Sequence, residues 1–251
     1  MISRFRSSAL ALAALPLALG LAACDKGADA GTATGGEPIA KIAPPAGKAW
    51  ADMIAKTPEG GYRMGNPDAP IKLVEYGSLT CSHCAEFAEK SAVPLRDTFV
   101  ASGRVSFEFR NFVRDPLDLM TAQIIRCGAP ESFFALTDQA MANQPALFQK
   151  VQAAGDAAFK AAAEQPADKR GLAIAQLAGL TEFFASRGIA QDQVKTCLAN
   201  AAEAEAIAKR TQEDGEKFAI TGTPTFLLNG AKIEGNTWEE IKAKLEAAGA
   251  R

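Results

Sequence analysis

Apolar positions along this chain fall into uninterrupted runs, alternation and helical spacing, and each pattern predicts an element. An Ala/Leu-rich run over residues 9–23 follows Arg4 and Arg6 and is too short to span a bilayer comfortably. Residues 1–23 therefore read as an export signal that the mature chain lacks. Residues 25–48 are rich in Ala, Gly, Thr and Pro without apolar period, which predicts a flexible tether averaging roughly 27 Å and reaching about 80 Å. A short helix is expected over residues 50–56. Ile71-Lys72-Leu73-Val74-Glu75-Tyr76 is a β-rich run that ends at Gly77, with a helix from about residue 82 that Pro94 kinks or ends. Val105, Phe107 and Phe109 alternate with Ser106, Glu108 and Arg110, a second strand with one apolar face. Residues 115–200 lack strand signals and carry helical spacing, with Leu117, Met120, Ile124 and Cys127 on one face, which predicts an insert of short helices.

A longer helix over 201–219 carries the Glu205/Lys209 pair at i, i+4 and leads into Thr221-Gly222-Thr223-Pro224. Asn229-Gly230 between two short β-rich runs is a strong hairpin signal, because both turn positions need positive φ. A last helix runs over 237–248, with Thr237 as N-cap and Glu240 where a capping-box partner sits. The element order is β-α-β, helical insert, α-β-β-α: an α/β domain over residues 49–250 with the insert at about 115–200.

Composition narrows the chemistry. The net charge is −2 and no Lys/Arg cluster stands out, which argues against nucleic acid as partner. His83 is the only histidine, so triads that need a distant histidine and multi-histidine metal sites are excluded. Leu21-Ala22-Ala23-Cys24 resembles the lipobox of bacterial lipoproteins, in which the cysteine takes a diacylglyceryl group and becomes the new N-terminus; an ordinary signal peptide with a chance cysteine is the alternative. A lipid at Cys24 would then hold residues 24–48 to a membrane, and Asp25 resembles the inner-membrane retention signal of some bacteria. Export leads to an oxidising compartment, where the four cysteines after Cys24 allow three pairings.

Cys81-Ser82-His83-Cys84 lies where a strand hands over to a helix, so Cys81 meets the unpaired N–H groups and positive dipole of a helix N-terminus. That setting favours the thiolate, which is both the attacking species and the better leaving group in disulfide exchange. Cys81 is expected to be exposed and Cys84 buried, with His83 adding positive charge or a donor near Cys81. Half a zinc site and a merely structural local disulfide are the alternatives; no second C-x-x-C supplies the remaining zinc ligands, so neither metal nor cofactor is expected. Glu75, on the strand face of Ile71 and Leu73, is placed beneath the cysteines as a proton relay for Cys84, against an edge-strand glutamate in water. Cys127 and Cys197 each lie on the apolar stripe of a helix and are expected to pair inside the insert, against two buried free thiols.

Glu75 six residues before the pair, C-x-H-C at Cys81–Cys84, the helical insert and Gly222-Thr223-Pro224-Thr225-Phe226 together resemble the DsbA family of thioredoxin-fold oxidoreductases over residues 62–250, particularly its lipoprotein-like and alphaproteobacterial branches. The resemblance implies a thioredoxin fold and a cis Pro224 beside the active site. It also implies a client groove that includes Thr223, disulfide transfer to reduced exported proteins in the periplasm by a monomer, and a membrane quinone reductase that recharges the pair. Some alphaproteobacterial members also resemble this pattern of a second, non-catalytic bridge. Two positions depart from the family: Ser82 replaces the proline often found between the cysteines, and Thr223 before Pro224 resembles isomerase-type members. Three functions compete: an oxidase, an isomerase or reductase kept reduced, and a non-catalytic lipoprotein that binds peptide or metal. Such isomerases resemble V-shaped dimers with an N-terminal dimerisation domain, for which residues 25–58 are too short and too polar.

Overall fold

The computed structural model describes residues 36–251. The export signal, Cys24 and the first part of the expected tether lie outside the described residues. Among those described, one six-stranded sheet runs in the order β1-β2-β4-β3-β5-β6. Its strands are β1 (Ile54–Lys56), β2 (Tyr62–Gly65), β3 (Ile71–Gly77), β4 (Val105–Asn111), β5 (Thr225–Leu228) and β6 (Ala231–Ile233). β3 lies between parallel β4 and antiparallel β5, and every other pairing is antiparallel. Its two faces enter different cores, with Ile71 and Leu73 in the main one and Val74 and Tyr76 in a smaller one with Ile220 and Leu227. A central strand covered on both faces has no solvent side. Glu75 is accordingly buried at 3% exposure, which disposes of the edge-strand alternative.

Helix α1 (Ser82–Pro94) follows β3 and passes at Pro94 into a π-helical turn, Leu95–Val100, before β4. The insert comprises α2 (Pro116–Arg126), α3 (Phe133–Ala142), α4 (Gln144–Ala163), α5 (Ala167–Leu177), α6 (Leu180–Ala185) and α7 (Gln191–Leu198). Helix α2 starts on local signals, with the Asp115 carboxylate accepting from the Asp118 N–H at 2.9 Å and Pro116 opening the first turn. Helix α8 (Ala201–Lys217) leads back to the sheet, and α9 (Trp238–Ala247) closes the domain behind the expected Thr237/Glu240 capping box. Asn229 and Gly230 both take positive φ, 50° and 84°, as a two-residue hairpin turn requires.

The structure differs from the sequence expectation at two places before β3. Residues 50–56 form a single 3-10 turn, Trp50–Asp52, then strand β1, not a helix, and β2 was not anticipated. Strands of three or four residues carry too few positions to show a period; pairing with β4 makes them strands. The second half of the expected tether is pinned to the domain: the N–H groups of Gly36, Ile39 and Ile42 donate to Ala247, Gly249 and Ser102 carbonyls. Buried Arg104 holds the Ile39 carbonyl at 3.1 Å as well.

Candidate active site

Cys81 is the N-cap of α1 in extended conformation (φ −92°, ψ 121°), so its sulfur stands at the helix end while Cys84 turns inward, one turn on. Both thiols are free. Cys84 is fully buried and its sulfur accepts the Ser78 N–H at 3.5 Å. Cys81 is only 4% exposed, where an open nucleophile was expected, because the loop at Thr223 lies against it: the thiol donates to the Thr223 carbonyl at 3.2 Å. The Thr223–Pro224 peptide is cis.

The two sulfurs are electrostatically opposed. A hydrogen bond from the Cys84 thiol, with further donors in the Thr223 side chain and the Cys84 and His83 N–H groups, outweighs burial and lowers the Cys81 thiol to about 4. Burial first, then the Cys81 hydrogen bond and the Glu75 charge, pushes the Cys84 thiol far up. Thr223 bears on Cys81 twice: its carbonyl accepts from the thiol, whereas its buried hydroxyl, without a hydrogen-bond partner of its own, favours the thiolate. The donor decides the direction, since the carbonyl bond exists only while the proton remains. His83 is exposed, and of the two roles expected for it, charge or donor, it is the donor that reaches Cys81, through the backbone N–H.

Glu75 lies on the main-core face of β3, and one of its oxygens, Oε1, is buried without a hydrogen-bond partner. Burial, then Asp138 and Cys81, hold its carboxyl well above the usual carboxylate range. Cys127, the C-cap of α2, and Cys197 of α7 form a disulfide. Among the described residues no group of His, Cys, Asp and Glu is arranged to hold a metal.

Two residues that sequence reasoning missed hold the loop before the cysteines. Asp118, fully buried in α2, accepts from Ser78 Oγ (2.6 Å), the Leu79 N–H (2.9 Å) and the Arg114 N–H (3.0 Å). Burial still outweighs these donors and lifts its carboxyl to about 6. Gln144 of α4 donates from Nε2 to the Leu79 and Cys81 carbonyls at 2.9 and 3.0 Å. Nothing local marks either residue as part of the site, because the groups of the cysteine loop that they hold lie 39–40 and 63–65 positions away.

A thiol pair at a helix end, one sulfur set to ionise readily and the other not, beside an X-Pro loop on a mixed sheet defines a thiol–disulfide exchange centre. The chain belongs to the thioredoxin family, whose model, described as Thioredoxin, matches residues 57–247. It is 32% identical to a protein-disulfide isomerase from Novosphingobium aromaticivorans of known structure, over 74% of this chain and 95% of that one, with a TM-score of 0.68. Wolbachia pipientis alpha-DsbA1 shares the fold at 20% identity, covering 76% of this chain and 92% of that one, with a TM-score of 0.61. A Rickettsia bellii protein provisionally named a protein-disulfide oxidoreductase is 24% identical over 77% of this chain. The chain spans 66% of that relative's length and 60% of its Rickettsia typhi counterpart's.

Proposed function

We propose that this chain is an exported thiol:disulfide oxidoreductase that passes a disulfide between Cys81–Cys84 and reduced exported proteins. The observation that carries the reading is the opposition of the two sulfurs: a Cys81 thiol lowered to about 4 beside a Cys84 thiol pushed up by burial. In the oxidised pair a client thiolate attacks Cys81 Sγ, the Cys81–Cys84 bond breaks, and Cys84 leaves as a thiolate that takes a proton relayed through Glu75. A second client thiolate then attacks the client sulfur of the mixed disulfide, and Cys81 leaves as a stable thiolate. The client leaves with the disulfide and the pair is left reduced by two electrons. A low thiolate pKa makes Cys81 a good leaving group and the disulfide oxidising. Pro224 and Thr223, lining a cleft of about 560 Å³ with residues of β6 and the segment after it, form the seat for the client backbone. Replacing Cys84 by Ser is expected to trap client mixed disulfides through Cys81, visible on non-reducing gels; faster alkylation of Cys84 than of Cys81 would reverse the roles.

A second reading, an isomerase or reductase kept reduced, rests on Thr223 before Pro224, a residue that at this position resembles isomerase-type members. The name of the Novosphingobium relative points the same way. Trapping free thiols in intact cells separates the two: a pair resting oxidised supports the oxidase, and one resting reduced the isomerase. Further parts of the proposal are a lipid on Cys24 at the periplasmic face of the inner membrane, a single copy as working unit, and a membrane quinone reductase as recharging partner. Detergent partitioning that is lost in Cys24→Ser tests the lipid; wild-type protein that stays in the aqueous phase refutes it.

A further inference from the structure

Behind the cysteine pair lies a cavity of about 210 Å³ between the sheet, α1 and α3, with Glu75 at its inner wall. Glu75 Oε1 and the Thr137 hydroxyl, each buried without a hydrogen-bond partner, line it. At roughly 30 Å³ per molecule it has room for several waters, and unpartnered polar atoms are what such waters bridge. Asp138, one residue on in α3 and half-buried, lines this cavity and also the apolar groove that runs past Ser82 and Phe148 on the outer side. It is thus the carboxylate that belongs to both the inner cavity and the outer groove.

We propose that Asp138 relays protons between solvent and Glu75 across this cavity, resetting the Glu75 carboxyl after each proton it exchanges with Cys84. The inference rests on the exchange reading above. In resolution, Glu75 carboxylate takes the Cys84 proton, Cys84 thiolate attacks Cys81 Sγ, and the bond from Cys81 to the client sulfur breaks, releasing client thiolate. Glu75 then passes its proton through cavity water to Asp138 carboxylate, and Asp138 passes it to solvent in the groove. The charges around Asp138 favour a group that holds and yields a proton readily. Across the cavity it faces Glu75 of β3, Asp52 of the 3-10 turn, Glu131 before α3 and Arg96 of the π-helical turn, and across the groove Glu86 and Glu89 of α1. Arg96 is itself ion-paired with Asp97 at 2.7 Å. Burial raises the Asp138 carboxyl to about 6, opposed by Arg96, which is close to the pH at which a relay works fastest.

The test uses the full chain carrying a glutathione mixed disulfide on Cys81, with release of glutathione timed as a function of pH. Asp138→Asn is expected to slow release on the order of tenfold at neutral pH and to remove the inflection near pH 6, while Asp138→Glu keeps most of the rate. Adding Asp138→Asn to Glu75→Gln should cost nothing further, because the two act in series. An Asp138→Asn profile that overlays wild type, or multiplicative losses in the double variant, overturns the relay while leaving the exchange reading intact. No mixed disulfide at Cys81 in wild type overturns both. Carboxyl NMR titration of the wild-type protein decides the matter without a variant: a coupled titration of Glu75 with Asp138 is expected, and independent titrations overturn the proposal.

Discussion

Removing the Cys84 thiol should raise the pKa of Cys81, because the hydrogen bond from Cys84 is the largest of the effects that lower it to about 4 from an ordinary 9.0. At that pKa only about one Cys81 in a thousand keeps its proton at pH 7. The ionisation stabilises the reduced fold at pH 7 by about 4 kcal/mol before solvent screening at the cleft mouth, and by about 2 kcal/mol after it. A lowered thiol contributes its full stabilisation above the ordinary thiol pKa and loses it as pH falls through about 4. The oxidised protein has no Cys81 thiolate, so the reduced protein's advantage over it should shrink between neutral pH and pH 4. Titrating groups that do not face the cysteine pair cancel in that difference. Ultraviolet thiolate absorbance and iodoacetamide rates against pH give the midpoint directly, and urea unfolding of both redox forms gives the stability difference. Cys84→Ala should move the midpoint upward, and Thr223→Val should move it upward by less. A wild-type midpoint at the ordinary thiol value, or a Cys84→Ala midpoint unchanged from wild type, would refute the reasoning.

Two further outcomes follow from the insert. The Cys127–Cys197 bridge closes 70 residues, so replacing both cysteines by Ala should cost about 4 kcal/mol on the chain-entropy view, read as a lower urea midpoint; an unchanged midpoint removes the stabilising role. Asp118→Ala leaves Ser78 Oγ and the Leu79 N–H buried without an acceptor, which should cost about 2–4 kcal/mol and make the Cys81 thiolate titration less sharply defined. Wild-type stability together with a wild-type titration curve would show that the loop holds itself.

What was legible before the fold was known lies close together along the chain. The handover from β3 to α1 at Cys81, the Asn229-Gly230 hairpin and the Thr237/Glu240 capping box each depend on residues within a few positions, and each stands where it was expected. The elements that were misread depend on distant partners. β1 and β2 exist through pairing that ends on β4, and residues 36–42 are fixed by carbonyls of Ser102, Ala247 and Gly249, 60 or more positions away. Glu75 was placed in the core by alternation along β3, but its second carboxylate, Asp138, comes from α3, and no local pattern joins the two.

That division has a consequence for how the insert is understood. A helical insertion between two halves of a sheet is expected to tolerate change, since the sheet and α1 already present the cysteines. Here Asp118, Gln144 and Asp138 all come from the insert, and each reaches the centre by a different route. Asp118 holds the Ser78 side chain and the Leu79 N–H, while the Ser78 N–H holds the Cys84 sulfur. Gln144 occupies the Leu79 and Cys81 carbonyls, each bond worth about 1 kcal/mol net but more if left unmade in a buried site. Asp138 shapes the charge felt by Glu75. The loop that leads to Cys81 and donates to the Cys84 sulfur is therefore clamped from the insert side, and the opposition of the two thiols depends on where that loop stands. A sulfur that moved by a fraction of an ångström would lose donors whose strength falls steeply with angle and distance. The Cys127–Cys197 disulfide ties the C-cap of α2 to α7, so it braces at its far end the same helix whose first turn supplies the Asp118 clamp.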